Sequence, residues 1–206
     1  MTAEEIMKKL EADERNRSYT ERGIHPVFQV SPEARILIIG QAPGRKVEAS
    51  GIPFDDKSGE TLICWLGINR QIFYSSSIAI VPMDFYYPGK GKTGDLPPRR
   101  FVAGEYHPAI LSMMKKIQLT VLVGRYAMAY YLKDTMKKTL TETVASYQQY
   151  LPAYFPIVHP SPLNYGWLKR NPWFEEKTVA DLQQTVHRIL AEGKSAESAS
   201  LNDMSD

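Results

Sequence analysis

The chain has 206 residues, 43% of them hydrophobic and 23% charged, with a formal net charge of +2. That is an ordinary globular composition with room for one core, which excludes a largely disordered chain, and no apolar run approaches the roughly 20 residues that a membrane span requires. A single cysteine, Cys64, excludes an internal disulfide framework or a four-thiolate cluster held by one chain. The charge is uneven: residues 192–206 carry four acids and one lysine, which leaves the remainder at +5, a mildly basic balance compatible with a polyanionic partner.

Residues 1–14 are polar and acid-bearing, unlike a secretory signal, and with the cysteine usage this predicts residence in the reducing cytoplasm. Thr2-Ala-Glu-Glu5 is a capping box ahead of a short helix with Ile6 and Leu10 on one face, part of an N-terminal helical segment over 1–22. Four apolar runs then read as strands: Arg35-Ile-Leu-Ile-Ile39, Ser77-Ile-Ala-Ile-Val81, Leu119-Thr-Val-Leu-Val123 and Phe155-Pro-Ile-Val158. The first three are continuous rather than alternating, as expected of strands covered on both faces, and Pro156 places the fourth at an edge or a strand start. Helical patterns fill the gaps. One runs from a capping Ser58 to Leu66 and stops at Gly67; one carries Ile110, Leu111, Met114 and Ile117 on a face; one opens on the capping box Thr139-Leu-Thr-Glu142. Asn171-Pro172 predicts a capped start for a last helix with Val179, Leu182, Val186 and Ile189 inward and His187 and Arg188 in its final turn. The composition of 192–206 predicts a disordered acidic tail, so one domain occupies 1–191. Strands alternating with helices predict an α/β fold, a three-layer α/β/α sandwich on a four-stranded, mostly parallel sheet.

Chemistry in such a sheet gathers beyond the carboxyl ends of its strands, so the loops after Ile39, Val81, Val123 and Val158 are the ones to read. Gly40-Gln-Ala-Pro-Gly44 is a tight turn whose backbone N–H groups can point inward around an anion or a carbonyl, though any strand exit can use such a turn. It is neither a Walker loop nor a dinucleotide fingerprint. Phe54, between a proline and two aspartates, offers a face for stacking on a flat base and equally fits a core side chain under a loop. Residues 82–100 form a long stretch without helical or strand pattern, mixing aromatics with Lys90, Lys92, Arg99 and Arg100; stacking surfaces plus phosphate partners suit a nucleic acid, and a solvated surface loop has the same composition. His159, at a strand end and stiffened by Pro160 and Pro162, is placed to act on a ligand, although a lone histidine is often structural. The histidines lack metal-ligand spacing, no cofactor is implied, and Cys64 reads as core.

Gly40-Gln-Ala-Pro-Gly44 after the first strand and His159-Pro-Ser-Pro-Leu163 after the last resemble the two signature motifs of the uracil-DNA glycosylase superfamily, and Gly51-Ile-Pro-Phe54 is similar to its base-stacking segment. The resemblance runs from about Arg35 to Leu190 and, with Tyr87-Pro-Gly-Lys90 and Lys169-Arg-Asn-Pro-Trp-Phe-Glu175, looks like a distinct bacterial branch. It implies a monofunctional, monomeric glycosylase that flips uracil or another deaminated base out of DNA. Gln41 would meet the base carbonyl edge, Phe54 would stack on the base, and His159 would donate to the carbonyl oxygen that gains charge as the bond breaks. Ser161 would hold a phosphate, and Leu163 would fill the vacated stack. Three positions depart from the family pattern. Ala42 stands where the most efficient branch has a water-orienting aspartate, with Asp55 and Asp56 as possible substitutes; Gly44 replaces a tyrosine that excludes thymine's methyl, which opens the site to other bases. The base-reading asparagine at the end of strand two has no match, and Asp84 there would accept from an exocyclic amine while repelling the O4 of uracil. The Fe–S branch's four cysteines are missing. Two further readings fit the same residues: a non-catalytic module that binds a base, nucleotide or DNA, and a hydrolase acting on a free nucleoside.

Overall fold

A computed structural model describes residues 2–92 and 94–203. The chain opens with α1 (Ala3–Ala12), a 3-10 turn at Glu14–Asn16 and α2 (Arg17–Thr20). The Thr2–Glu5 capping box forms in both directions, at 3.2 and 2.8 Å, and Ile6 and Leu10 are buried. Next come β1 (Ile36–Ile39), α3 (Arg45–Ser50), α4 (Lys57–Leu66), α5 (Arg70–Phe73) and β2 (Ile78–Ile80). A small hairpin, β3 (Lys90–Gly91) with β4 (Gly94–Asp95), precedes α6 (Arg100–Ser112), β5 (Leu119–Val123) and α7 (Arg125–Leu132). The chain continues through α8 (Leu140–Ala145), β6 (Tyr154–Ile157), α9 (Tyr165–Arg170), a π-helical turn at Phe174–Val179 and α10 (Ala180–Asp203).

The four long strands form one parallel sheet in the order β2-β1-β5-β6, flanked by helices. Every residue of β1, β2 and β5 is buried, which is why their sequences run apolar without alternation. Pro156 lies in β6, an edge strand, where a missing N–H leaves no ladder bond unmade. The other edge is closed by Gln29, whose backbone exchanges bonds of 2.9 and 2.7 Å with Ile80. Since β1 connects outward to β2 on one side and to β5 on the other, the chain reverses its winding between β1 and β5, and a crevice opens beyond their carboxyl ends.

Local expectations are corrected at five places. The cap of α4 is Asp56, which accepts from Gly59 N at 3.0 Å, and Ser58 lies inside the first turn; an aspartate two residues upstream outcompetes it. The last helical run does open at Asn171-Pro172, with Asn171 O accepting from Phe174 N at 3.0 Å, but the Asn171 side chain is no cap for it: it turns back and donates to Trp167 O at 2.8 Å, closing α9. The segment 82–100 is not wholly irregular, because Lys90 pairs with Asp95 and Gly91 with Gly94. Cys64 is exposed rather than core, since the buried face of α4 is Leu62, Trp65 and Leu66. Finally, α10 continues through Asp203, so His187 is not in its last turn and the backbone from 192 is helical where a disordered tail was expected. Alanine, glutamate and lysine favour that helix, and Gly193 is no linker: a side chain there would meet Arg35 Nε at 2.5 Å. Residues 204–206 lie outside the described residues.

Candidate active site

The turn after β1 is fastened to the exit of β2. Gly40 O accepts from Met83 N at 2.9 Å and Gln41 O from Asp84 N at 3.1 Å, and α3 starts on Gly44, whose carbonyl accepts from Glu48 N at 2.8 Å. The Gln41 amide reaches across to the hairpin, donating to Leu96 O at 3.3 Å.

Phe54 is held by its neighbours in a backbone conformation that a residue with a side chain seldom adopts, with φ at 56°. Two glycines make this possible. A methyl on Gly40 would lie 3.1 Å from Phe54 Cζ, and one on Gly59 only 1.7 Å from Phe54 O. Tyr74 adds a hydroxyl bond to Pro53 O at 2.9 Å, and Phe73 packs edge-on against the Phe54 ring at 6.3 Å. Holding such a conformation costs on the order of 1–3 kcal/mol, which the surrounding packing offsets.

His159 stands two residues past the end of β6, after Val158. Its carbonyl accepts from Asn164 Nδ2 at 2.8 Å, and Ser161 Oγ accepts from Leu163 N at 3.2 Å, so the turn that carries Leu163 is braced from within. Leu163 itself is 85% exposed. Burial pushes the His159 pKa down, and Asp56 and Asp95 pull against that shift. The ring is therefore a neutral donor at neutral pH.

These pieces surround one cavity of about 610 Å³. Gln41, Ala42, Gly44, Phe54, His159, Ser161 and Leu163, all singled out by sequence, line it together. Residues 27–183 match the family model described as the Uracil DNA glycosylase superfamily, well over half of the chain. The chain belongs to that superfamily. Its members are hydrolases that act on DNA, and membership points to glycosylase chemistry; among the described residues no helix is long and apolar enough to cross a membrane.

Asp84 does not line this superfamily cavity, and the base-facing role expected of it is corrected. The residue is fully buried and its carboxylate is taken up by Arg99, from Nε and Nη2, both at 2.8 Å, with Arg99 N and Tyr86 N completing its bonds at 3.0 and 3.2 Å. Arg99 is corrected with it: the rest of its guanidinium bonds Asn16 Oδ1 at 2.7 Å and Arg15 O at 3.2 Å, which leaves little of it for a phosphate. Lys90, Lys92 and Arg100 are exposed and lie outside the cavity lining, on the hairpin and the start of α6. Asp55 is occupied by Arg70 at 2.5 Å, whereas Asp56 lines the cavity. Sequence reasoning passed over Asp95, Tyr126 and Asn164, which also line it. Tyr126 had a signal, since it stands in the first turn of α7 just past the exit of β5, a strand end that the rule names; Asp95 had none, because two-residue strands carry no periodicity.

Proposed function

We propose that the protein is a monofunctional DNA glycosylase that hydrolyses the N-glycosidic bond of uracil or another deaminated base flipped out of DNA. The observation that carries this reading is the convergence of Gln41, Phe54 and His159 on one cavity from three distant parts of the chain. The target base leaves the stack because its bond to the sugar is otherwise out of reach. Phe54 stacks on the base face, and the turn after β1 meets its carbonyl edge. As the C1′–N bond breaks, its electron pair moves onto the base. The neutral His159 ring donates to the carbonyl oxygen where that charge collects, a preorganised electrostatic contribution often worth 2.7–4 kcal/mol. Water adds to C1′ and gives up a proton, leaving an abasic site. Among the described residues no lysine lines the cavity, which favours water over an amine as the nucleophile.

Ala42 supplies no carboxylate for that water. Asp56 does: one oxygen caps α4 at 3.0 Å from Gly59 N, and the other lies on the Gly44 side, 4.0 Å from where a methyl on that glycine would stand. Asparagine caps helices as well as aspartate. Asp56→Asn is therefore expected to keep the stability of the protein while single-turnover excision slows by roughly 100-fold or more. An undiminished rate would remove Asp56 from the mechanism. The reading as a whole is tested on oligonucleotides containing uracil, hypoxanthine or xanthine, with abasic products cleaved by alkali. Product from at least one is expected. Saturable, salt-sensitive DNA binding without product from any would establish a binding module instead.

A further inference from the structure

The end of β2 offers nothing to read a base with. Pro82 lines the cavity there without a polar side-chain atom, and the Asp84 carboxylate behind it is occupied by Arg99. The hairpin fills that gap. Its register sets Lys90 opposite Asp95, Leu96 N bonds Gly89 O at 2.8 Å, and the Gln41 amide ties Leu96 O to the turn after β1. Asp95 thereby becomes part of the cavity wall, with Oδ1 accepting from Tyr87 OH at 3.1 Å. Its charge also reaches His159, where it opposes the effect of burial on the imidazole.

We propose that Asp95 is the residue that reads the flipped base: its carboxylate accepts the ring N–H, and a group that can only accept selects hypoxanthine over uracil and xanthine. The argument is chemical. A carboxylate has two oxygens and no proton to donate. In uracil the N3–H is flanked by carbonyls on both sides, and the N1–H of xanthine likewise, so the second oxygen must face a lone pair. In hypoxanthine the N1–H has a carbonyl on one side and a C2–H on the other. One oxygen then accepts from N1–H while its partner lies against a positively polarised hydrogen. The cavity, at about 610 Å³, has room for a purine.

This inference rests on the glycosylase reading, and the experiment separates the two. Single-turnover excision is measured on duplexes carrying hypoxanthine, uracil or xanthine, for the wild type, Asp95→Asn and Tyr87→Phe. The wild type is expected to favour hypoxanthine by roughly tenfold or more, the weight of one hydrogen bond to a charged group. Asparagine can donate to a carbonyl, so Asp95→Asn moves the ratio toward uracil by a similar factor. Tyr87→Phe releases Oδ1 and moves it the same way by less. Because the readout is a ratio within one variant, partial misfolding lowers both rates and leaves it unmoved. A wild type that prefers uracil, or a ratio unchanged in Asp95→Asn while product forms, overturns the role of Asp95 and leaves the glycosylase standing. No product from any duplex overturns the glycosylase reading and this inference with it.

Discussion

At the scale of single residues, His159 bears the largest share of the proposed chemistry, and its environment fixes the form in which it acts. Burial disfavours the imidazolium, so the neutral ring persists to lower pH than a free imidazole with its ordinary value of 6.5. The single-turnover rate is therefore expected to stay flat from pH 8 down through 6.5, with any inflection owed to His159 lying below. An inflection at 6.5 that disappears in His159→Asn would contradict a neutral donor. His159→Ala should lose roughly 100-fold or more in rate, the usual cost of one preorganised donor to a developing oxyanion. Gln41, Phe54 and His159 were legible in the sequence because each sits in a short motif directly tied to a strand end or a helix start. Asp84 was misread for a reason equally physical. Its partner, Arg99, stands fifteen residues on at the far side of the β3–β4 hairpin, and nothing in the local sequence says that the two meet.

At the scale of elements, the contact between α4 and the Phe54 segment decides whether the stacking ring is in place. The first turn of α4 approaches so closely that only glycine fits at 59, where a methyl would overlap Phe54 O at 1.7 Å. Because the obstacle is backbone, the strand-to-helix segment must move. Gly59→Ala is expected to destabilise the protein by about 1–3 kcal/mol, the range for overpacking a tight site, even though alanine is the better helix former. It should also slow excision, since the displaced backbone is the one that aims Phe54. Urea denaturation and single-turnover assays on the same preparation test both, and a variant of native stability with native rate would show that the segment tolerates the shift. The strands and both threonine capping boxes were readable because continuous apolar runs and cap spacings are local signals. The hairpin was not, since it is built on Gly89 at φ 106° and Gly94 at φ 135° with two residues per strand, too short for any pattern.

At the scale of the whole molecule, two ionisable groups, His107 buried beneath the cavity-lining Pro82 and Asp13 near the N-terminus, make stability depend on pH in two separable windows. His107 is 1% exposed, with Nε2 donating to Pro82 O at 3.0 Å and Nδ1 accepting from Tyr131 OH at 2.6 Å. Burial pushes its pKa down from 6.5 to about 4. Between those values the unfolded chain binds a proton that the folded one refuses, so stability is complete above 6.5 and falls as the pH drops toward 4. At about 1.4 kcal/mol per unit, the loss across that window is about 3 kcal/mol, a large part of the total for a domain of this kind. Asp13 acts lower down. The Arg15 guanidinium, bonded to it between 2.6 and 3.2 Å, holds its carboxyl well below the usual carboxylate range, and Tyr106 adds a hydroxyl bond at 2.7 Å. Its contribution is present above 3.8 and fades only in stronger acid. His107→Gln keeps a donor for Pro82 O and cannot titrate. Its urea midpoint should be lower than that of the wild type at pH 7, and the gap should narrow steadily by pH 4.5, because only the wild type loses stability on the way. Parallel decline of the two proteins across that range would mean that His107 is not the group being protonated.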